Sequence, residues 1–76
     1  MRNTYDAAAD AFYLRLDPRE PARGEVRHMI SALVAPVSGA LINLDFDGEG
    51  RLIGIECLAA STVIPAAVLA DAERIG

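Results

Sequence analysis

From Phe12 the chain alternates, with Phe12, Leu14 and Leu16 on one side of an extended segment and Tyr13 and Arg15 on the other. A period of two residues is that of a half-buried β-strand, here spanning 12–16. Ahead of it, Asp6 is placed to cap a short turn through Ala7, Ala8 and Ala9 to Asp10, because its carboxylate can accept from amides that a first turn leaves unpaired. Asp17-Pro18 closes the strand, and two prolines and Gly24 among charges make 17–24 a loop. Alternation returns over 25–30, where Val26, His28 and Ile30 oppose Glu25, Arg27 and Met29. Ser31 to Gly39 has no firm period, and Pro36 forbids a central strand position, so this stretch reads as a loop or an irregular edge strand. Two apolar arms, 41–46 and 52–58, flank Asp47-Gly48-Glu49-Gly50, which predicts a hairpin. Pro65 suits a first helical turn, and Val68, Leu69, Ala72 and Ile75 then recur at helical spacing, so a helix is predicted over 65–75.

These elements make one α+β domain over 1–76: a small antiparallel β-sheet, a meander with a C-terminal hairpin, packed by one C-terminal helix. The hairpin arms read as apolar on both faces, since Ile42, Leu44 and Phe46 lie behind Leu41, while Ile53, Ile55 and Cys57 lie behind Leu52 and Leu58. A sheet apolar on both sides needs two covers. The chain offers one helix, so the other face, or an exposed sheet edge, is expected to meet a second copy in a homodimer. The energetics agree. A chain this small removes roughly 7,200 Å² from water on folding. That contributes on the order of 110 kcal/mol if about 60% of the area is apolar. Ordering the backbone and side chains costs about 114 kcal/mol.

Composition narrows the function. Hydrophobic residues make up 53% of the chain, which argues against disorder. Acidic residues number 11 against 7 basic ones, a net charge of -4 that disfavours a phosphate-binding groove, so no nucleic-acid partner is expected. Arg15, Arg19, Arg23 and Arg27 fall four apart, yet Pro18, Pro21 and Gly24 interrupt them, and they read as a scattered solvated set. A single Cys57 forms neither an internal disulfide nor a multi-cysteine zinc site. The longest uncharged stretch, from Met29 to Leu44, is broken by Pro36 and Gly39 and is too short for a bilayer, and Met1 to Asp6 has no signal-type apolar run. The expectation is a cytoplasmic protein with no membrane partner. With no lysine and no dinucleotide fingerprint, no cofactor is expected.

Asp45, Asp47, Glu49 and Glu56, with Gly50 and an aliphatic at Leu52, follow the acid spacing of a helix-flanked calcium loop. Asp45, Asp47 and Glu49 are therefore candidate metal ligands. Strand composition on both sides argues against the cage, because an extended 52–58 carries Glu56 about 20 Å from the turn. Glu56 is the odd residue in an apolar strand, where a lone carboxylate calls for a partner or an exposed rim. As a general acid or base it would need a second group, and Asp6, Asp10, Asp45 and His28 are the ones available. Asp10 and Glu56 are thus the candidate catalytic residues, against the plainer reading of an ion pair or edge exposure. His28 reads as a packed or hydrogen-bonded residue, Cys57 as a small buried hydrophobe, and Ser61 and Thr62 as turn or cap residues. Gly54 inside a strand marks a bulge or a close approach, to Tyr5 or Tyr13. No Ser-His-Asp set can be assembled.

With these residues in view, the chain resembles the small prokaryotic proteins grouped as domain of unknown function 2283. One block of the resemblance is Tyr5-Asp6 through Asp10-Ala11-Phe12-Tyr13-Leu14-Arg15-Leu16. The other runs from Leu44-Asp45-Phe46-Asp47 through Gly50-Arg51-Leu52-Ile53-Gly54-Ile55-Glu56-Cys57-Leu58 to Ala60-Ser61. Ala7, Ala8 and Ala9 depart from the Pro or acidic residues common there, and Ser31 to Ala40 is longer than the usual connector. The resemblance implies a β-rich domain with a C-terminal helix, and it brings no established activity. The family's recurrent positions, Asp6, Asp10, Gly50, Gly54 and Glu56, are either a site or capping and turn chemistry. Two functions are therefore carried forward. The first is a self-associating domain acting through protein–protein interaction, and the second a carboxylate-based enzyme or metal-binding domain using Asp6, Asp10, Asp45 and Glu56.

Overall fold

The predicted hairpin forms because Asp47 organises its own turn. Its Oδ1 accepts from the amides of Glu49 and Arg51, both at 2.9 Å, while Gly50 takes a φ of 81° and donates its amide to the Asp47 carbonyl. The arms are Leu41–Phe46 and Leu52–Leu58 in the computed structural model, which describes residues 1–76. In chain order the elements are β1 (Arg2–Asp6), β2 (Ala11–Arg15), β3 (His28–Val34), β4 (Leu41–Phe46), β5 (Leu52–Leu58), a 3-10 turn (Ala60–Thr62), α1 (Ala66–Asp71) and β6 (Glu73–Ile75). They build one six-stranded sheet in the order β3-β4-β5-β2-β1-β6, antiparallel except where β6 runs parallel to β1. The architecture is the expected α+β meander with one short helix near its C-terminal end.

Strand β1 carries no apolar alternation, and pairing makes it a strand. It lies between β2 and β6, and the turn Ala7 to Asp10 joins it to β2. The amide of Ala9 donates to Asp6 Oδ1 at 3.1 Å, the side-chain cap anticipated for that turn.

The predicted strand over 25–30 is displaced in the structure. Glu25, Val26 and Arg27 precede β3, which continues to Val34, so the first half of the unreadable stretch is an irregular edge strand. Its irregularity is a bulge. Ile30 pairs with Leu44 and Leu33 with Ile42, so Ser31 and Ala32 together oppose the single residue Asn43, one residue more than the partner strand has, and Ala32 takes a φ of 60°. The bulge breaks the two-residue period. Ile30 and Leu33 share one face, and Met29 and Val34 the other, which alternation alone would not allow.

The predicted helix over 65–75 is shorter than expected, ending at Asp71. Ala72 turns extended, with φ -70° and ψ 148°, and Glu73 to Ile75 pair with Thr4 to Asp6. An open edge on β1 offers a row of unpaired backbone groups, and satisfying them outweighs the helix propensity of the last residues. Ile75 therefore leaves the helical face assigned to it and lies exposed on β6.

The core lies on one face of the sheet. Phe12, Cys57, Ala60 and Ala72 are buried together, with Tyr5, Leu14, Ile42, Ile55, Val63, Ile64 and Leu69 packed around them. The C-terminal segment covers this face over β1, β2 and β5. Burial raises the Cys57 thiol pKa, helped by the nearby Glu56 charge, so it behaves as the small hydrophobe anticipated.

Candidate functional site

The opposite face is polar across its middle, contrary to the reading of both hairpin arms as apolar on both sides. Register places Thr4, Tyr13, Glu56 and Asn43 in one row across β1, β2, β5 and β4, with Arg2, Arg15, Gly54 and Asp45 in the next. A third row is apolar and reaches the far edge through Ala11, Leu58, Leu41 and Val34.

Gly54 explains the position of Tyr13. A Cβ at residue 54 would fall inside the van der Waals radii of the Tyr13 hydroxyl and ring, so the phenol lies directly over the glycine backbone. That approach lets Tyr13 Oη donate to Asp45 Oδ2 at 3.0 Å, two strands away. Burial, the hydrogen bond to Asp45 and its negative charge push the phenol pKa up to about 12, which holds Tyr13 as a neutral donor. Of the two tyrosines expected to approach Gly54, Tyr13 is the one that does.

Next to this pair, Asn43 Nδ2 donates to Glu56 Oε1 at 2.9 Å, and Asn43 Oδ1 accepts the amide of Ala32 at 2.8 Å. Glu56 thus has a partner, a neutral amide where an ion pair or an exposed edge was anticipated. Both carboxylates on this face are bonded to residues of other strands, which is the chemistry of cross-strand ties.

Arg15 overturns the reading of the arginines as a solvated set. Its side chain is 7% exposed; its guanidinium donates to both Glu25 oxygens, at 2.7 and 3.0 Å, and twice to the Arg19 carbonyl. The loop from Leu16 to Arg27 is thereby pulled over the polar face and supplies part of the missing cover. Between this loop and β1–β2 lies a cleft of about 360 Å³ lined by Arg2, Thr4, Tyr13, Arg15, Pro21 and Glu25. Its two arginines are already paired, Arg15 with Glu25 and Arg2 with Glu73. In sequence the only signal for this lock is Arg15 itself, a charge in a strand that is otherwise half-buried.

The other candidates are dispersed. Asp10 sits in the β1–β2 turn with a φ of 52°, where Tyr5 Oη and the Ser61 amide donate to its Oδ1 and Ser61 Oγ to its Oδ2. The hydrogen bonds from Ser61 and then Tyr5 hold its carboxyl below the usual range. Asp10 therefore clamps the 3-10 turn that follows β5. Asp6 caps its own turn, Asp47 shapes the hairpin, and Glu49 reaches only Arg51 in solvent, at 3.5 Å. Of Asp6, Asp10, Asp45 and Glu56, the structure brings only Asp45 and Glu56 into neighbouring rows of one face. Nowhere do three or more His, Cys, Asp or Glu side chains converge closely enough to hold a metal ion. His28, expected to be packed or hydrogen-bonded, is exposed at the start of β3.

The residues that carried the resemblance touch one another across the fold: Asp10 meets Ser61, and Tyr13 meets both Gly54 and Asp45. A family model described as "Protein of unknown function (DUF2283)" matches residues 2–61. The match ends at Ser61 and leaves α1 and β6 outside it. No curated protein and no solved structure matches the chain. No helix is long and apolar enough to cross a membrane.

Proposed function

The chain belongs to the DUF2283 family, and from that premise we propose that it is a self-associating interaction domain whose β3 edge meets the β3 edge of a second copy. The observation that carries this reading is the exposure of apolar side chains on both faces of one edge strand. Met29 is 55% exposed, Ile30 47%, Leu33 42% and Val34 67%, with Leu41 and Leu58 continuing the surface inward. An edge strand normally carries charge that discourages pairing. Here the edge lies in the longest uncharged stretch of the chain, so two copies meet without the repulsion their net charge of -4 otherwise brings.

The area supports the same partner. The folded chain exposes 5009 Å², roughly 500 Å² more than the surface expected for its mass. Covering that excess on two copies buries on the order of 1,000 Å², the lower bound for a specific interface. Side chains contribute more of this contact than a continuous backbone ladder, because the bulge interrupts the edge. The net negative charge supports a partner other than nucleic acid, and the single buried Cys57 supports a reducing, cytoplasmic setting. The carboxylate or metal reading has no observation in its favour, since its four residues tie separate parts of the fold together.

Sedimentation equilibrium at micromolar concentration tests the proposal. Wild type is expected at twice the 8.1 kDa chain mass, and Val34→Lys at 8.1 kDa with its fold intact. A wild-type mass of 8.1 kDa across the range overturns the homodimer and leaves a different protein partner for this edge.

A further inference from the structure

The bulge in β3 decides which face each apolar residue of the edge occupies. Remove it, and alternation from Ile30 would carry Leu33 and Val34 to the opposite faces. Nothing in the local sequence forces the bulge: Ser31-Ala32 has no glycine to favour the left-handed φ that Ala32 adopts. The force comes from two strands away. The Ala32 amide donates to Asn43 Oδ1, and Asn43 is held in that orientation because its Nδ2 donates to Glu56 Oε1. An amide side chain has one accepting and one donating end. The carboxylate of Glu56 takes only the donating end, which leaves the carbonyl of Asn43 facing Ala32.

We infer that Glu56 is a positioning residue which, through Asn43, fixes the bulge at Ser31-Ala32 and so sets which apolar side chains the β3 edge presents on each face. This gives Glu56 a task that its place in an apolar strand left unexplained. The inference rests on the proposed β3 contact for its functional consequence, although the relay itself is a property of the single chain. Met29 and Val34 on one face, and Ile30 and Leu33 on the other, form the surface a second copy meets. A slip would present a different set.

Amide hydrogen exchange by NMR on the full-length ¹⁵N-labelled chain, dilute enough to be a single copy, tests the relay. In Glu56→Ala the Ala32 amide is expected to exchange about tenfold faster, the scale of a lost charge-assisted hydrogen bond, while the Phe12 and Cys57 amides keep their rates. Glu56→Gln retains an accepting oxygen and is expected to keep Ala32 protected. Asn43→Asp still offers Ala32 an acceptor but has no donor for Glu56 and repels it, so protection falls. Combining Asn43→Asp with Glu56→Gln restores a donor and is expected to restore protection, which a packing role alone would not do. If Glu56→Ala does not fold, this rescue decides the matter. Wild-type exchange at Ala32 in Glu56→Ala, an equal acceleration at every amide, or failure of the rescue overturns the relay. Sedimentation of the same variants separates the two claims. Faster Ala32 exchange with weaker association supports both, whereas faster exchange with unchanged association upholds the relay and overturns the β3 contact.

Discussion

Replacing Gly54 by Ala is the sharpest perturbation of the polar face. Gly54 is not among the residues with positive φ, so its backbone is one that any L-residue adopts, and only space excludes a side chain. In an ordinary strand the change would stabilise by roughly 0.5–1 kcal/mol through lower unfolded-state entropy. Here the new Cβ would overlap the Tyr13 hydroxyl and ring and lie 3.0 Å from Cε2, so the phenol must leave its position. Losing the hydrogen bond to the Asp45 carboxylate costs about 1.5–3 kcal/mol. Forcing the ring aside costs about 1–3 kcal/mol more. The two losses sum to about 2.5–6 kcal/mol, which the entropic gain trims to about 2–5 kcal/mol, a large fraction of a small domain's stability and a drop on the order of 20 °C in Tm. Urea unfolding followed by circular dichroism measures it, and a double-mutant cycle with Tyr13→Ala assigns it. Once the ring is gone, Gly54→Ala should be neutral or stabilising. A loss below about 1 kcal/mol in wild type, or the same loss in both backgrounds, would refute the argument that Gly54 exists to admit Tyr13.

Arg15→Gln removes the bidentate pair with Glu25 and the hold on the Arg19 carbonyl, so trypsin should cleave after Arg19 and Arg23 several times faster than in wild type; unchanged cleavage would show that the loop is held by other contacts. Stability should fall in acid. Asp17, pushed down to about 2 by its hydrogen bonds from Arg19, and Asp10, Glu25 and Asp47, lowered by hydrogen bonds from Ser61, Arg15 and the Arg51 amide respectively, all have folded pKa values below their unfolded ones. Their contribution is complete above the unfolded values near pH 4 and is lost as pH falls towards 2, so a flat urea midpoint over that window contradicts it. At the alkaline end the sign reverses: Tyr13, raised to about 12, and Tyr5, raised by its hydrogen bond to Asp10, stabilise fully below pH 10 and progressively less up to 12. Absorbance at the phenolate band should show both tyrosines titrating later in the folded protein than in urea.

The central hairpin was legible because local chemistry and burial agree there. Asp47-Gly48-Glu49-Gly50 makes the turn, and Ile42, Leu44, Ile55 and Cys57 recur at the spacing that the core face demands. Phe12 and Leu14 were legible for the same reason, as were the turn at Asp6 and the need for space at Gly54. Each is a constraint written in a few adjacent residues. Strand β1 was not legible, since Arg2-Asn3-Thr4-Tyr5-Asp6 has no periodic apolar face and is a strand only because β2 and β6 pair with it. The end of the helix was misread because the free β1 edge competes with helical propensity for Glu73 to Ile75.

The candidate site divides along the same line. Sequence singled out Glu56 as unexplained, Gly54 as a close approach and Asp10 as a site or a cap. It could not pair Glu56 with Asn43, Tyr13 with Asp45 or Asp10 with Ser61, because each partner is chosen by strand register, and register is a sum over the whole sheet. Arg15 shows the limit best: four arginines at regular spacing look alike along the chain, and only the path of the loop over the polar face buries one of them against Glu25. The phase of β3 is the extreme case. A hydrogen bond from Ala32 to Asn43 shifts the alternation by one residue, so the period needed to read this edge strand exists only after the sheet has assembled.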